Sequence, residues 1–204
     1  MSLDAAQLFI RKGHSRVIDQ EPAQVVAQLF NGAGQLQALL VSQRSIILVR
    51  RDDVGYRANT IDLSKARIMR TLEVRVHPGR EKDFVDAFKV LAAAYEKTNS
   101  DLPWVVYQVN AGAPSPTFLI FVPMQALRQN DDLLSRRLTI QAAEGEAGFA
   151  QMQQIARDAY ESTESHIYAV SPQMSHVFPE FAATDSGFWS PAPPAPTQTR
   201  KKSH

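Results

Sequence analysis

The sequence predicts an α+β protein, and three observations carry that class. Between residues 68 and 76 apolar residues alternate with polar ones, the period of a strand, and after Pro78-Gly79 they fall at helical spacing instead. Two strand-like runs, Trp104–Val109 and Thr117–Val122, are then joined by the turn-rich AGAPSP, which predicts a hairpin. A second helix-period stretch ends in the apolar run His166–Val170. The order from 66 to 170 is therefore β-α-β-β-α-β.

Taken from the start of the chain, AQLFI (6–10) predicts a short strand. Asp19, Glu21 and Pro22 mark a helix start, with acids near the N-terminus and proline in the first turn. Val25, Val26, Leu29 and Phe30 recur at helical spacing, Asn31-Gly32-Ala33-Gly34 interrupts them, and Leu36, Leu39 and Leu40 resume the stripe. Ile46–Val49 is a strand, and the polar stretch from Arg50 to Leu63 is a connector.

In the next segment Ile68, Leu72, Val74 and Val76 share one strand face, and Met69, Thr71, Glu73, Arg75 and His77 share the other. Phe84, Phe88, Leu91 and Tyr95 form one helix stripe, with Glu81 and Asp83 in its first turn, where the helix dipole favours acids. As the continuous apolar set, Leu72, Val74 and Val76 are expected to pack against the helices. Residues 125–145 are polar with room for a short helix, and a longer helix carries Phe149, Met152, Ile155, Ala156 and Ala159. The closing SPAPPAPTQTRKKSH has too few apolar groups to offset the entropy of ordering and is expected to be disordered.

Composition excludes several chemistries. The chain has 204 residues and no cysteine, which removes disulfides, thiolate catalysis and cysteine metal sites. Lys plus Arg number 22 against 21 for Asp plus Glu, a balance that gives no reason to expect nucleic acid or an anionic membrane as partner. No apolar run approaches the ~20 residues that span a bilayer. The N-terminus lacks the basic-then-apolar pattern of a signal peptide, which suggests a cytoplasmic protein or one from which a leader has been removed.

Four antiparallel strands with two helices on one face make a ferredoxin-like unit, whose second sheet face needs a partner. A repeat is also visible. Shifted by 120 positions, Ser42, Ser45 and Ile47 fall on Ser162, Ser165 and Ile167. The expected organisation is a partial repeat (1–57, strand-helix-strand), a connector (58–65), a complete repeat (66–185) and a disordered Pro-rich tail (186–204). A complete first repeat would need roughly fifty residues upstream.

The runs TLEVRVHPGREKDFVDAFKVLAAAYEK, WVVYQVNAGAPSPTFLIFVPMQAL and SHIYAVSPQMSHVFPEFAATDSGFW resemble uncharacterised bacterial proteins of the dimeric α/β-barrel superfamily, which includes antibiotic-biosynthesis-monooxygenase-like and NIPSNAP-like domains. The resemblance covers about residues 40–190. It implies a barrel built from ferredoxin-like repeats. Members look like two tandem repeats, so a chain lacking the start of the first is expected to close its barrel with a second copy, as a homodimer.

No catalytic motif stands out. The histidines show neither HxH nor HExxH spacing, so no metal is expected. Some barrels of that superfamily hold haem through a histidine, but no motif here matches that use, and no cofactor is expected. Glu73 and Arg75 share a strand face and would form a buried acid–base pair if that face lined the barrel. The principal expectation is a barrel that binds a small molecule or is structural. The alternative, which the resemblance permits, is a cofactor-independent monooxygenase-like enzyme acting on an aromatic or other small organic substrate. In it Glu73 or His166 would act as base. Arg75, Trp104, Tyr107, Gln108, Phe121 and Tyr168 are the candidate ligand-binding residues in either case.

Overall fold

The alternating run IMRTLEVRV forms a strand with Val74 and Val76 fully buried. The computed structural model describes residues 3–8, 40–135, 137–175 and 177–190, with side chains from Ser45 onward apart from positions 134 and 137. Its strands are β1 (Leu3–Leu8), β2 (Leu40–Arg50), β3 (Ile68–Val76), β4 (Val105–Ala111), β5 (Thr117–Met124) and β6 (Tyr160–Ala169). Its helices are α1 (Glu81–Lys97), α2 (Arg128–Ser135), α3 (Arg137–Ala159), α4 (Pro179–Ala183) and α5 (Ser186–Trp189).

The sheet runs β1-β2-β4-β5-β3-β6. β2, β4, β5, β3 and β6 are successively antiparallel, and β1 lies parallel to β2. The class is α+β with an open antiparallel sheet, consistent with the ferredoxin-like expectation for 66–170. Leu72, Val74 and Val76 do face the helices. They pack with Val106, Phe118 and Ile120 against Phe84, Phe88 and Tyr95. Phe84 is wholly buried and stacks on Phe118 with ring centroids 3.9 Å apart. Burying such a ring contributes about 1.5–3 kcal/mol.

The strand expected at Ile46–Val49 is longer and finds its partner within this chain. β2 starts at Leu40 and pairs with β4, Ile47 opposite Ala111 and Arg50 opposite Tyr107. Leu40, expected on a helical stripe, is therefore extended: pairing with β1 sets its backbone, and the β-branched Val41, Ile46, Ile47 and Val49 suit a pleated surface. The first strand sits at Leu3–Leu8, where Leu3 meets Leu40 and Leu8 meets Ile46. The helical stretch expected from Asp19, one broken helix or two, lies outside the described residues up to position 39, as does the Pro-rich stretch from 191.

β6 begins six residues before the expected His166, because it pairs along all of β3, from Val76 opposite Tyr160 to Ile68 opposite Ala169. Tyr160 packs against the core, while Glu161–Ser165 are exposed on both faces and accordingly polar. β2 and β6 start 120 positions apart, at residues 40 and 160. The polar segment 125–145 holds all of α2 and the first turns of α3. α3 breaks at Gly145 (φ 77°, ψ 160°), a conformation essentially reserved for glycine.

The boundary expected at 186 cuts through ordered structure. Ser186–Trp189 is a helical turn, and Trp189 is buried with its Nε1 donating to the Ser64 carbonyl. Asp185 pairs with Arg67 and Lys65, and the Arg67 guanidinium lies 3.7 Å from the centre of the Phe188 ring. An indole can both pack and donate, which suits Trp189 to anchor this segment.

Candidate functional site

The sheet carries a cleft on each face. The one on the helix side lies among β3, α1, α2 and α3. It comprises a chamber of ≈ 380 Å³ and an adjoining one of ≈ 180 Å³, which share Arg70, Leu91, Tyr95 and Leu133 as walls. Ile140, Phe149 and Met152 make the larger chamber mainly apolar, and Glu144 also lines it.

Each polar group arrives there for a local reason. Arg70 holds an even-numbered position on β3, the parity of Leu72 and Val74, so its side chain leaves the strand on the helix side. Its Nε is 3.4 Å from the Ser165 hydroxyl, and among the described residues it forms no ion pair. Tyr95 ends the Phe84-Phe88-Leu91 stripe of α1, wedged edge-on against Trp104. Burial pushes its hydroxyl up to about 12, with Arg70 acting in the opposite sense. Glu144 precedes the Gly145 break. Burial raises its pKa above the ordinary carboxylate value, and its Oε2 has no hydrogen-bond partner among the described residues. A cation, a neutral phenol and a destabilised carboxylate thus border one apolar cavity, a pattern typical of ligand sites.

The second cleft, of ≈ 460 Å³, lies on the face away from the helices. Its floor includes Met69, Tyr107 and Phe121, and its other wall is the segment from Ala58 to Leu63. The stretch expected to be a connector therefore covers part of the free sheet face. Tyr107 and Phe121 meet edge to face at 5.7 Å, and burial raises the Tyr107 pKa. The cation here, Arg50, is already engaged: its Nε donates to Asp52 at 2.6 Å and its Nη2 to Asn59 at 3.1 Å.

The candidate residues do not converge. Tyr107 and Phe121 share the open-face cleft. Trp104 is on the opposite face, buried in the core with its Nε1 donating to the Val54 carbonyl, and it lines the smaller helix-side chamber. Gln108 also has helix-side parity, opposite Phe118, and accepts from Arg51 at 2.6 Å. Glu73 and Arg75 form no buried pair. Arg75 reaches across to Glu161 at 3.0 Å, both half-exposed, while Glu73 stands between Leu119 and Glu164 in register. Two residues on one strand face project in parallel, so a neighbouring strand offers Arg75 the nearer carboxylate. His166 and Tyr168 lie on the exposed edge strand β6, ring centroids 6.0 Å apart, and His166 is 3.5 Å from Glu164. Neither Glu73 nor His166 lines either cleft.

No family model, no curated protein and no solved structure matches this chain. Among the described residues there is no group of three His, Asp or Glu side chains able to hold a metal ion. Nor is any helix among them long and apolar enough to cross a membrane.

Arg70, Tyr95 and Glu144, which border the helix-side cleft, are not among the residues the sequence singles out for a site. A usable signal existed for Arg70, a charge set among the core-facing positions Ile68, Leu72, Val74 and Val76. The glycine after Glu144 in a helix-period stretch marks the break but not the cleft.

Proposed function

We propose that this protein binds a small organic molecule in the helix-side cleft and works as a homodimer. The observation carrying the binding reading is the convergence of Arg70, Tyr95 and Glu144 on a cavity that is otherwise apolar. A fitting ligand has an apolar body, an anionic or acceptor group for Arg70, and a donor to meet the unpartnered Glu144 Oε2. The dimer reading is supported by an edge strand exposed along its length. A cofactor-independent oxygenase would need Glu73 or His166 beside its substrate. Neither borders a cleft, so binding is the better-supported reading.

Titration with anilinonaphthalene sulfonate, whose fused rings and single anion suit the cleft, tests this. A hydrogen bond to a charged group is worth about 1.5–3 kcal/mol, so Arg70→Leu should weaken binding by about tenfold or more. Tyr107→Ala, on the other face, should leave it unchanged. The reverse outcome, loss on Tyr107→Ala and none on Arg70→Leu, would move the site to the open-face cleft and overturn the assignment.

A further inference from the structure

We infer that β6 is a self-pairing edge: two copies of this chain join antiparallel along Tyr160–Ala169, about a two-fold axis at Ser165, to form one continuous sheet. The inference rests on the homodimer proposed above and specifies where and in what register it forms.

Three observations carry it. First, among the described residues β6 closes one end of the sheet and pairs only with β3, and every residue from Glu161 to Ala169 is exposed. A ten-residue edge leaves a row of unpaired N–H and C=O groups. Of the devices that protect isolated edges, YESTESHIYA holds no proline or lysine; it carries two glutamates and one irregularity, at its start, so Ser162–Ala169 is a regular edge. Ile167 and Tyr168 are 47% and 53% exposed.

Second, Glu164 is badly placed in the single chain. Its register partner on β3 is Glu73, and like charges directly opposite each other destabilise a sheet. Within the chain the His166 Nε2 stands 3.5 Å away on the same strand face. A further basic or hydrogen-bonding group across the strand edge would offset the repulsion more fully.

Third, the sequence of β6 supplies that group to itself in one symmetric register. In an antiparallel pair related by a two-fold axis, opposite residues lie equally far on either side of the centre and on the same face. Centring on Glu164 sets that residue against its own copy, and centring on His166 does the same for the imidazole. Centring on Ser165 sets Glu164 opposite the partner's His166, and His166 opposite the partner's Glu164. It also sets Thr163 opposite the partner's Ile167 and Ser162 opposite the partner's Tyr168, pairs that cover the exposed apolar groups. The arrangement closes on itself, whereas pairing β6 with the β1 edge of another copy would propagate head to tail.

Sedimentation of the full chain tests this, with Glu164→Lys and His166→Glu, both exposed positions. The wild type should sediment at twice the 22.7 kDa chain mass at micromolar concentration. Either variant alone places like groups opposite each other twice per interface and should raise the dimer dissociation constant about tenfold. An equimolar mixture of the two should dimerise like the wild type, because each heterodimer then holds a Lys–Glu and a His–Glu pair. A wild type that stays at the chain mass would remove both the homodimer and this interface. A wild-type dimer unaffected by either variant would leave the homodimer standing and refute the β6 edge. Weakening without rescue in the mixture would refute the register.

Discussion

The Trp189 indole Nε1 donates to the carbonyl of Ser64 at 2.9 Å, across 125 residues of sequence. Ser64 is buried in the 3-10 turn leading into β3, and Phe181 and Phe188 pack edge-on against Trp189. The contact fastens the last described helix to the entry of a central strand. Trp189→Ala removes both packing and a donor to a buried carbonyl, and should destabilise the protein by about 3–5 kcal/mol in urea unfolding. A change below about 1 kcal/mol would mean the C-terminal segment is not part of the cooperative unit.

A second structural prediction concerns Gly112, just beyond β4. It adopts φ +88°, and a Cβ there would collide with the Ser45 carbonyl of β2. Only a residue without a side chain lets the hairpin pass so close to the neighbouring strand. Gly112→Ala should cost about 1–3 kcal/mol, concentrated at the β2–β4 junction. Hydrogen exchange is the measurement: amides of Ile47–Arg50 should lose protection before those of β3 and β5.

How far the sequence revealed this fold depends on what each segment buries. β3, α1 and β5 were legible because one face of each is core, so burial wrote a period into Leu72, Val74, Val76 and Phe84, Phe88, Tyr95. The first half of β6 was not, because after Tyr160 both faces of Glu161–Ser165 are exposed and these residues carry no apolar period. The start of β2 was masked by Leu36, Leu39 and Leu40, whose spacing fits a helix although Leu40 is in a strand. For the site, aromatic content led to Tyr107 and Phe121, which do share a cleft. Parity separated Trp104 and Gln108 from them, and a hairpin register decides parity only once both strands are placed. Glu144 and Arg70 lie 74 positions apart in sequence, and their meeting at one cavity is a product of tertiary packing alone.

The core prediction rests on Phe84, stacked between Phe118 at 3.9 Å and Phe88 at 4.3 Å. Close-packed interiors relax only partly around a lost ring. Phe84→Ala should therefore cost about 3–5 kcal/mol, and Phe84→Leu less than half of that, as read from denaturant midpoints at constant m-value. Equal losses for the two variants would contradict a tightly packed aromatic stack.

The most informative pH experiment concerns Glu144. Burial raises its pKa in the folded chain above the ordinary carboxylate value, and the groups bordering the same cavity are Arg70 and Tyr95. The folded state then holds a proton to higher pH than the unfolded chain does. Stability contributed by this site is complete below the ordinary carboxylate pKa and declines as pH rises through the raised one. Glu144→Gln keeps the shape and removes the titration. The variant should melt above the wild type at pH 7, and the gap should close by pH 4, where both side chains are neutral. Thermal unfolding across that range checks it. A gap that stays constant from pH 4 to pH 7 would show that the Glu144 carboxylate is not under desolvation stress, and would take away the main electrostatic support for the helix-side cleft.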